Sequence, residues 1–525
     1  MTIPFYWLTV LPLITSPFIY LAGRIRMLKR FHKHGNSKIN NLPYWISLLA
    51  LLACWIPFFS AYQQLKISSP LIFSLGEISL RFDGLSLLLA AVSLGLSTLV
   101  TLFSGPYLRG EVGEEKYYAM LTAMTGVMAA MGCAGDLFNL WVWFEAMAVT
   151  SYLLVVFYRE EPASLEAGIK YVVQSATGSV MILLGIALVL AQAGTTDIAA
   201  LSGKLDQTPQ LLLAGALFVI GFGVKTALVP LHTWLPDAHT QAPSGISAML
   251  SGVVIEAGLV AMLRSLGALT GLNGEGIPIA IWGPILMTFG IFNMLVGNLM
   301  SLRQTLVKRL LAFSSLSHMG YMIIGIGIAM YANEAAGAEG SMFHLLNHGL
   351  MKGLAFLAVG ALMYAVGEVS SHTPDPLRTA QPVAQPHAPL AIRDLNGASQ
   401  RYPWMALALS IAVLGLGGLP PLAGFMSKWQ IFVAGFSTHN LWIMLLVVFA
   451  ALNSVLSLGY YAPLVNALYR KQPSQAVLAG GPIPLVMTVP LVLMGLLVIL
   501  LGFWPSLAGW LTGPAGSALL KAFGG

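Results

Sequence analysis

Seven ionisable side chains stand inside long apolar stretches of this chain: Glu145, Lys225, Glu256, His344, His348, Lys352 and Lys428. A charge placed in hydrocarbon costs roughly 2.5–3.5 kcal/mol per residue even on lenient insertion scales. Residues of both signs kept at that cost point to function. Glu, Lys and His share one chemistry here, the reversible holding of a proton under the bias of their neighbours. His344, His348 and Lys352 recur every fourth residue in FHLLNHGLMKGLAFL, so they lie along one helix face. Their rise of about 12 Å suits a water-bridged relay. As metal ligands the same stripe is poor, because Lys352 repels a cation and no carboxylate joins it. Glu145, in DLFNLWVWFEAMAV, is placed to exchange a proton with Lys225. The bland alternative for each of these residues is a buried ion pair that only holds helices together.

The elements that must position them are membrane helices. Of 525 residues, 57% are hydrophobic and 9% are charged, against about 25% charged in soluble domains. Windows of membrane-spanning length give about fourteen spans. The first is expected to be a retained helix, since basic residues follow its apolar run and no small-residue cleavage signature is present. The net charge of +6 is better explained by topology than by nucleic acid. Arg24, Arg26, Lys29, Arg30, Lys33, Lys38, Arg303, Lys308, Arg309, Arg378, Arg393, Arg401, Arg470 and Lys471 fall in loops on one side. Lys66, Arg81, Lys204, Arg264 and Lys521 fall on the other. The positive-inside rule then puts both termini on the non-cytoplasmic face. Segments around Ile72–Leu75 and Ile78–Phe82 alternate weakly and predict a small outer hairpin. Thr373–Pro389 reads as an extended Pro-rich loop. Cys54 and Cys133 read as packing residues.

Two spans are interrupted. GFGVKTALVPLHTWLP carries Pro230 shortly after Lys225, and GLGGLPPLAGFMSKWQIF carries Pro420 and Pro421 shortly before Lys428. Proline removes a backbone donor, and free carbonyls inside a bilayer persist only against protein or water. A broken helix beside a lysine, once in each half, is the pattern of inverted-repeat transporters with mid-membrane ion sites. No phosphate loop, dinucleotide fingerprint, nucleophile elbow, HExxH or Cys-rich cluster is present, so no catalytic redox site, cofactor or metal is expected in this chain.

The segments GDLFNLWVWFEAM, VPLHTWLPDAHTQAPSGISAML, KRLLAFSSLSHMGYM, FHLLNHGLMKGLAFLAVGAL and GLPPLAGFMSKWQIF resemble the signatures of antiporter-like proton-translocating membrane subunits. That family serves respiratory complex I, membrane-bound hydrogenases and multi-subunit sodium/proton antiporters. The resemblance covers roughly residues 80–470. It implies an all-α integral membrane fold of fourteen helices with two inverted five-helix repeats. The expected division is 1–116 (N-terminal helices, basic loop and hairpin), 117–265 and 278–468 (the two half-channels), and 469–525 (C-terminal helix and tail). It further implies that Glu145 pairs with Lys225 in one half, that Lys352 lies on a central hydrated axis, and that Lys428 ends the other half. His232 and His318, within the quoted segments, join this candidate pathway. One position departs from the pattern: Glu256, in LSGVVIEAGLVAMLR, stands where relatives usually carry a lysine, and so reverses the charge expected beside Lys225.

The function implied is proton translocation by a membrane subunit of a redox-driven complex resembling NADH:quinone oxidoreductase or a membrane-bound hydrogenase. The alternative is a cation/proton antiporter with no redox partner. The partners implied are other membrane subunits, the lipid bilayer and, in the respiratory case, a redox arm with iron–sulfur and flavin subunits. The expected location is a bacterial or archaeal plasma membrane or an equivalent energy-transducing membrane.

Overall fold

The computed structural model describes residues 3–32, 41–76, 78–270, 276–370 and 389–524. The Thr373–Pro389 loop, apart from Pro389, and the basic residues Lys33, Lys38 and Arg378 lie outside them. In hydrocarbon every backbone group must be satisfied within its own segment, which leaves helices as the form for runs this apolar. The chain runs through α1 (Trp7–His32), α2 (Leu42–Leu65), α3 (Gly84–Tyr107), α4 (Glu114–Gly132), α5 (Leu137–Val155) and α6 (Pro162–Ala193). It continues through α7 (Pro209–Lys225), α8 (Trp234–Gln241), α9 (Ser244–Thr270), α10 (Trp282–Leu302), α11 (Val307–Ala332) and α12 (Ala335–Ser370). It ends with α13 (Pro403–Gly417), α14 (Ala423–Ser437), α15 (Leu441–Leu468), α16 (Leu485–Phe503) and α17 (Gly509–Ala522). Among the described residues, 11 helices are long and apolar enough to cross a membrane. The split helices α7/α8 and α13/α14 and the more polar α4 complete the expected set of spans.

Polar caps set several starts. Asp83 accepts from the Ser86 N–H at α3, Asp136 from Asn139 at α5, and Thr208 from Leu211 at α7. The expected hairpin is present as β1 (Leu71–Leu75) antiparallel to β2 (Ile78–Phe82), with Leu71 opposite Phe82. It marks one end of the bundle, called here the hairpin face; the N-terminus of α2 and Arg303 mark the basic-loop face.

Helix α9 is wholly enclosed and α11 and α12 nearly so, forming a central axis, while α6 and α15 turn much of their surface outward. Glycines let α9 and α12 approach closely. A Cβ on Gly252 would lie 3.0 Å from the Gly349 carbonyl oxygen, and one on Gly349 would lie 2.8 Å from that of Gly252. Within α9, Leu250–Val254 form a π-helical turn that ends two residues before Glu256. One inserted residue rotates everything after it by about 100° about the axis. The tail after α16 folds back as α17 against α3, α9 and α12. That helix lay unrecognised in the sequence because Gly and Pro dilute its apolar pattern.

Candidate functional site

Lys225 is the last residue of α7, and the chain then leaves helical geometry until Trp234. Ala227 is held in the left-handed region at φ 58°. Asn293 of α10 fastens the break by accepting from the Val229 N–H at 2.7 Å and donating to the Ala227 carbonyl at 3.1 Å. Trp234 Nε1 donates to the freed Val224 carbonyl at 2.8 Å. The Lys225 ammonium, fully buried, donates to Tyr171 Oη at 2.6 Å and Ser151 Oγ at 3.3 Å. It lies 4.4 Å from the centre of the Tyr171 ring, which stacks on Trp234.

The Glu145–Lys225 pair is therefore corrected in one respect. Among the described residues no direct ion pair joins them, and Glu145 Oε1 is enclosed without a hydrogen-bond partner. Glu145 lies on a half-buried face of α5 and reaches the ammonium only through space, while two hydroxyls hold the lysine.

Glu256 also finds a different partner. Its Oε1 lies 2.7 Å from His348 Nδ1, both side chains being completely enclosed, so the carboxylate faces α12 and not Lys225. The π turn that precedes Glu256 and the glycine contact beside it set this direction. The structure thus brings to the histidine stripe the carboxylate that sequence spacing withheld from it. Among the described residues no cluster of metal-ligating geometry results.

His318 of α11 gathers the stripe. Its ring lies 5.3 Å from those of both His344 and His348, and its Nδ1 is 3.1 Å from His344 Nε2. His344 Nδ1 is in turn 2.8 Å from Ser427 Oγ, one residue before Lys428. The result is a line from Glu256 through three imidazoles to the second helix break. Its one step without a hydrogen bond runs between the His348 and His318 rings.

Lys352 and Lys428 are buried and donate to backbone carbonyls and serine hydroxyls. Lys352 Nζ donates to the Leu311 carbonyl at 2.7 Å and to Ser314 Oγ. Lys428 Nζ donates to the Leu416 carbonyl at the end of α13 and to Ser454 Oγ, each at 2.8 Å, and lies 4.6 Å from the Tyr321 ring centre. His232 sits half-buried in the first break; among the described residues its Nδ1 has no partner, and no hydrogen bond ties it to the other site residues.

Three residues escaped the sequence reading. His239 is fully buried, stacks on Phe356 with centres 4.9 Å apart, and among the described residues has no partner for either ring nitrogen. Lys308, expected in a loop, is enclosed and donates to the Ala242 carbonyl at 2.5 Å. Arg264, also expected in a loop, turns inward from α9 to grip Asp83 with two nitrogens, at 2.8 and 3.1 Å. It also donates to the Gly132 carbonyl at 2.6 Å. The repeated histidine in HTWLPDAH could have flagged His239; nothing local signals the inward turn of Arg264.

Comparison with known proteins adds a decisive match. Residues 134–454 fit the model of the family described as NADH:quinone oxidoreductase/Mrp antiporter, TM. The chain belongs to that family. It is 31% identical over 432 residues to F(420)H(2) dehydrogenase subunit N of Methanosarcina mazei, covering 81% of this chain and 82% of that protein. It is 32% identical over 440 residues to NADH-quinone oxidoreductase subunit N 2 of Roseiflexus castenholzii, with 81% and 82% covered. Among solved structures, a chain of the membrane-bound sulfane sulfur reductase, an archaeal respiratory membrane complex, superposes with a TM-score of 0.82 at 27% identity, covering 98% of this chain and 97% of that one. The chain is a nearly all-helical, multi-pass integral membrane protein of the antiporter-like subunit family.

Proposed function

We propose that this protein carries protons across the membrane as a subunit of a redox-driven complex, the redox chemistry residing in partner subunits. The observation that carries the reading is the connected line Glu256–His348–His318–His344–Ser427, ending beside Lys428. Each group on it can hold or pass a proton, and each is enclosed within the wholly helical core. Lys225, poised by Tyr171 and Ser151 at the first break, supplies one end, with Glu145 acting on it through space. Lys352 sits beside the axis and biases it electrostatically. The relatives named as NADH-quinone oxidoreductase and F(420)H(2) dehydrogenase subunits support the redox-driven setting. The family description also includes Mrp antiporters, so exchange of a cation for protons without a redox partner is the second reading.

In this proposal both termini lie on the non-cytoplasmic side of a bacterial or archaeal plasma membrane, supported by the clustering of basic residues on the opposite face. The chain divides functionally into the half-channels 117–265 and 278–468. The test is proton movement by the assembled complex in proteoliposomes, with electron donor supplied, sodium varied, and a protonophore as control. Donor-dependent, sodium-independent proton movement supports the redox-driven relay. Donor-independent movement that requires a sodium gradient supports the antiporter instead.

A further inference from the structure

Helices α2, α3 and α17 form a seam that changes character along its length. At the hairpin face it opens as a cavity of about 230 Å³ whose lining includes Lys66, Arg81 and Lys521, with Asp83 at its floor. Asp83 is already gripped by Arg264 and also pairs with Arg81, so a single carboxylate answers four cations. Lys66 and Lys521 are exposed at the rim, and Arg81 is half-buried with Nε 3.5 Å from Asp83.

One turn deeper on the same three helices the lining becomes apolar. A cleft of about 410 Å³ runs past Trp55 and Phe59 of α2, Gly95 and Leu99 of α3, and Trp510 of α17. Leu87 of the mouth and Ala91 of the cleft are successive turns of α3, and Tyr62 of the mouth packs against Trp510 of the cleft with ring centres 4.9 Å apart. The inner end of the cleft reaches Gly349 and Leu350 of α12.

We propose that this seam binds one anionic phospholipid, its phosphate held by Lys66, Arg81 and Lys521 and an acyl chain laid in the apolar cleft. The order of chemistry along the seam is that of the lipid itself, a charged head at the membrane end and hydrocarbon toward the middle. The uncompensated positive charge excludes a zwitterionic head as the best fit, and the depth of the apolar part excludes free phosphate as the natural occupant. Gly349 links the seam to the interior: a Cβ there would lie 3.8 Å from Glu256 Oε2. A bound acyl chain thus lies against the α12 turn that backs the enclosed Glu256–His348 pair. An effect of the lipid on that pair rests on the proton-relay reading; the binding itself does not.

The purified complex, stripped of lipid in detergent, is titrated with phosphatidylglycerol and with phosphatidylcholine, and binding is counted by native mass spectrometry. The expected result is one tightly held phosphatidylglycerol on this subunit and weaker phosphatidylcholine. Lys66→Glu with Lys521→Glu should weaken phosphatidylglycerol by about tenfold or more, each basic residue contributing at the surface. Gly95→Phe, which fills the cleft and leaves the cations in place, should displace the same lipid. Equal retention in both variants overturns the proposal. Complete competition by inorganic phosphate also overturns it, since then only a head-sized anion site exists. So does cross-linking of positions 66 and 521 to another subunit in the intact complex, which would make the seam a protein interface. Proton movement is measured in parallel: lost lipid with normal movement keeps the site and removes its effect on the pair.

Discussion

Glu256→Gln removes the carboxyl of the enclosed Glu256–His348 pair while keeping its shape. Gln retains an oxygen to accept from His348 Nδ1, so the 2.7 Å contact persists in that tautomer. Its amide nitrogen replaces Oε2, an enclosed atom with no partner in the structure, and its N–H groups are then buried unsatisfied. That costs about 1–3 kcal/mol, a tolerable loss against the roughly 5–15 kcal/mol of a folded domain. Complex yield should stay near wild type. Removing a positioned proton donor and acceptor, by contrast, slows a proton-transfer step by about 10²–10⁴-fold. Proton uptake per assembled complex, followed with a pH dye in proteoliposomes, should fall by about 10²-fold or more. His348→Gln should match it, and the double variant should be no worse than either single one, because the two act as a unit. Full proton movement in Glu256→Gln at normal complex content would remove the pair from the pathway.

Tyr171→Phe deletes the 2.6 Å hydrogen bond to Lys225 but keeps the ring beneath it, and should slow translocation with assembly intact, read by the same dye assay. His239→Phe preserves the stack on Phe356 and removes both nitrogens; reduced translocation at unchanged yield marks the imidazole as a participant, since Phe356 lies one turn from Lys352 on α12. Gly349→Ala forces a methyl to within 2.8 Å of the Gly252 carbonyl and 2.9 Å of Val92, an overpacking of about 1–3 kcal/mol. It should part α9 from α12 and lower both yield and flux, as measured by size-exclusion chromatography and the dye assay. For Asp83, burial pushes the carboxyl up, but the Arg264 charge and hydrogen bonds, the Ser86 N–H and Arg81 together hold it below the usual value of 3.8. Its stabilising contribution is thus full above that value and lost as pH falls through the lower folded one. Thermal melts of wild type should show this acid loss, and Asp83→Asn should be destabilised at neutral pH with the difference shrinking toward strongly acidic pH.

Much of the fold was legible because hydropathy and proline are strong local signals. The spans follow from apolar run length, and both breaks follow from Pro230, Pro420 and Pro421 beside lysines. The histidine stripe on α12 was equally plain, its four-residue spacing being a property of one helix. Partners were not legible. Glu145 and Glu256 were both assigned to Lys225, yet Lys225 is held by Tyr171 and Ser151, and Glu256 is turned to His348. The π turn in α9 changes which face follows it, and no residue pattern within the helix announces such a turn. Arg264 and Lys308 were read as loop charges because they sit near span ends, where a few ångströms of tertiary packing decide between water and a buried partner. Their buried acceptors, Asp83 and the Ala242 carbonyl, are distant in sequence or part of the backbone.

The central claim is that protons cross through the buried line from Glu256 to the second helix break, with Lys225 at the first break acting at its far end. Its most direct measurement is donor-driven proton movement by complexes carrying Lys225→Ala or Lys428→Ala, reconstituted at matched complex content without sodium. The relay predicts that each variant assembles and that proton movement collapses in both. Normal proton movement in both variants would contradict it.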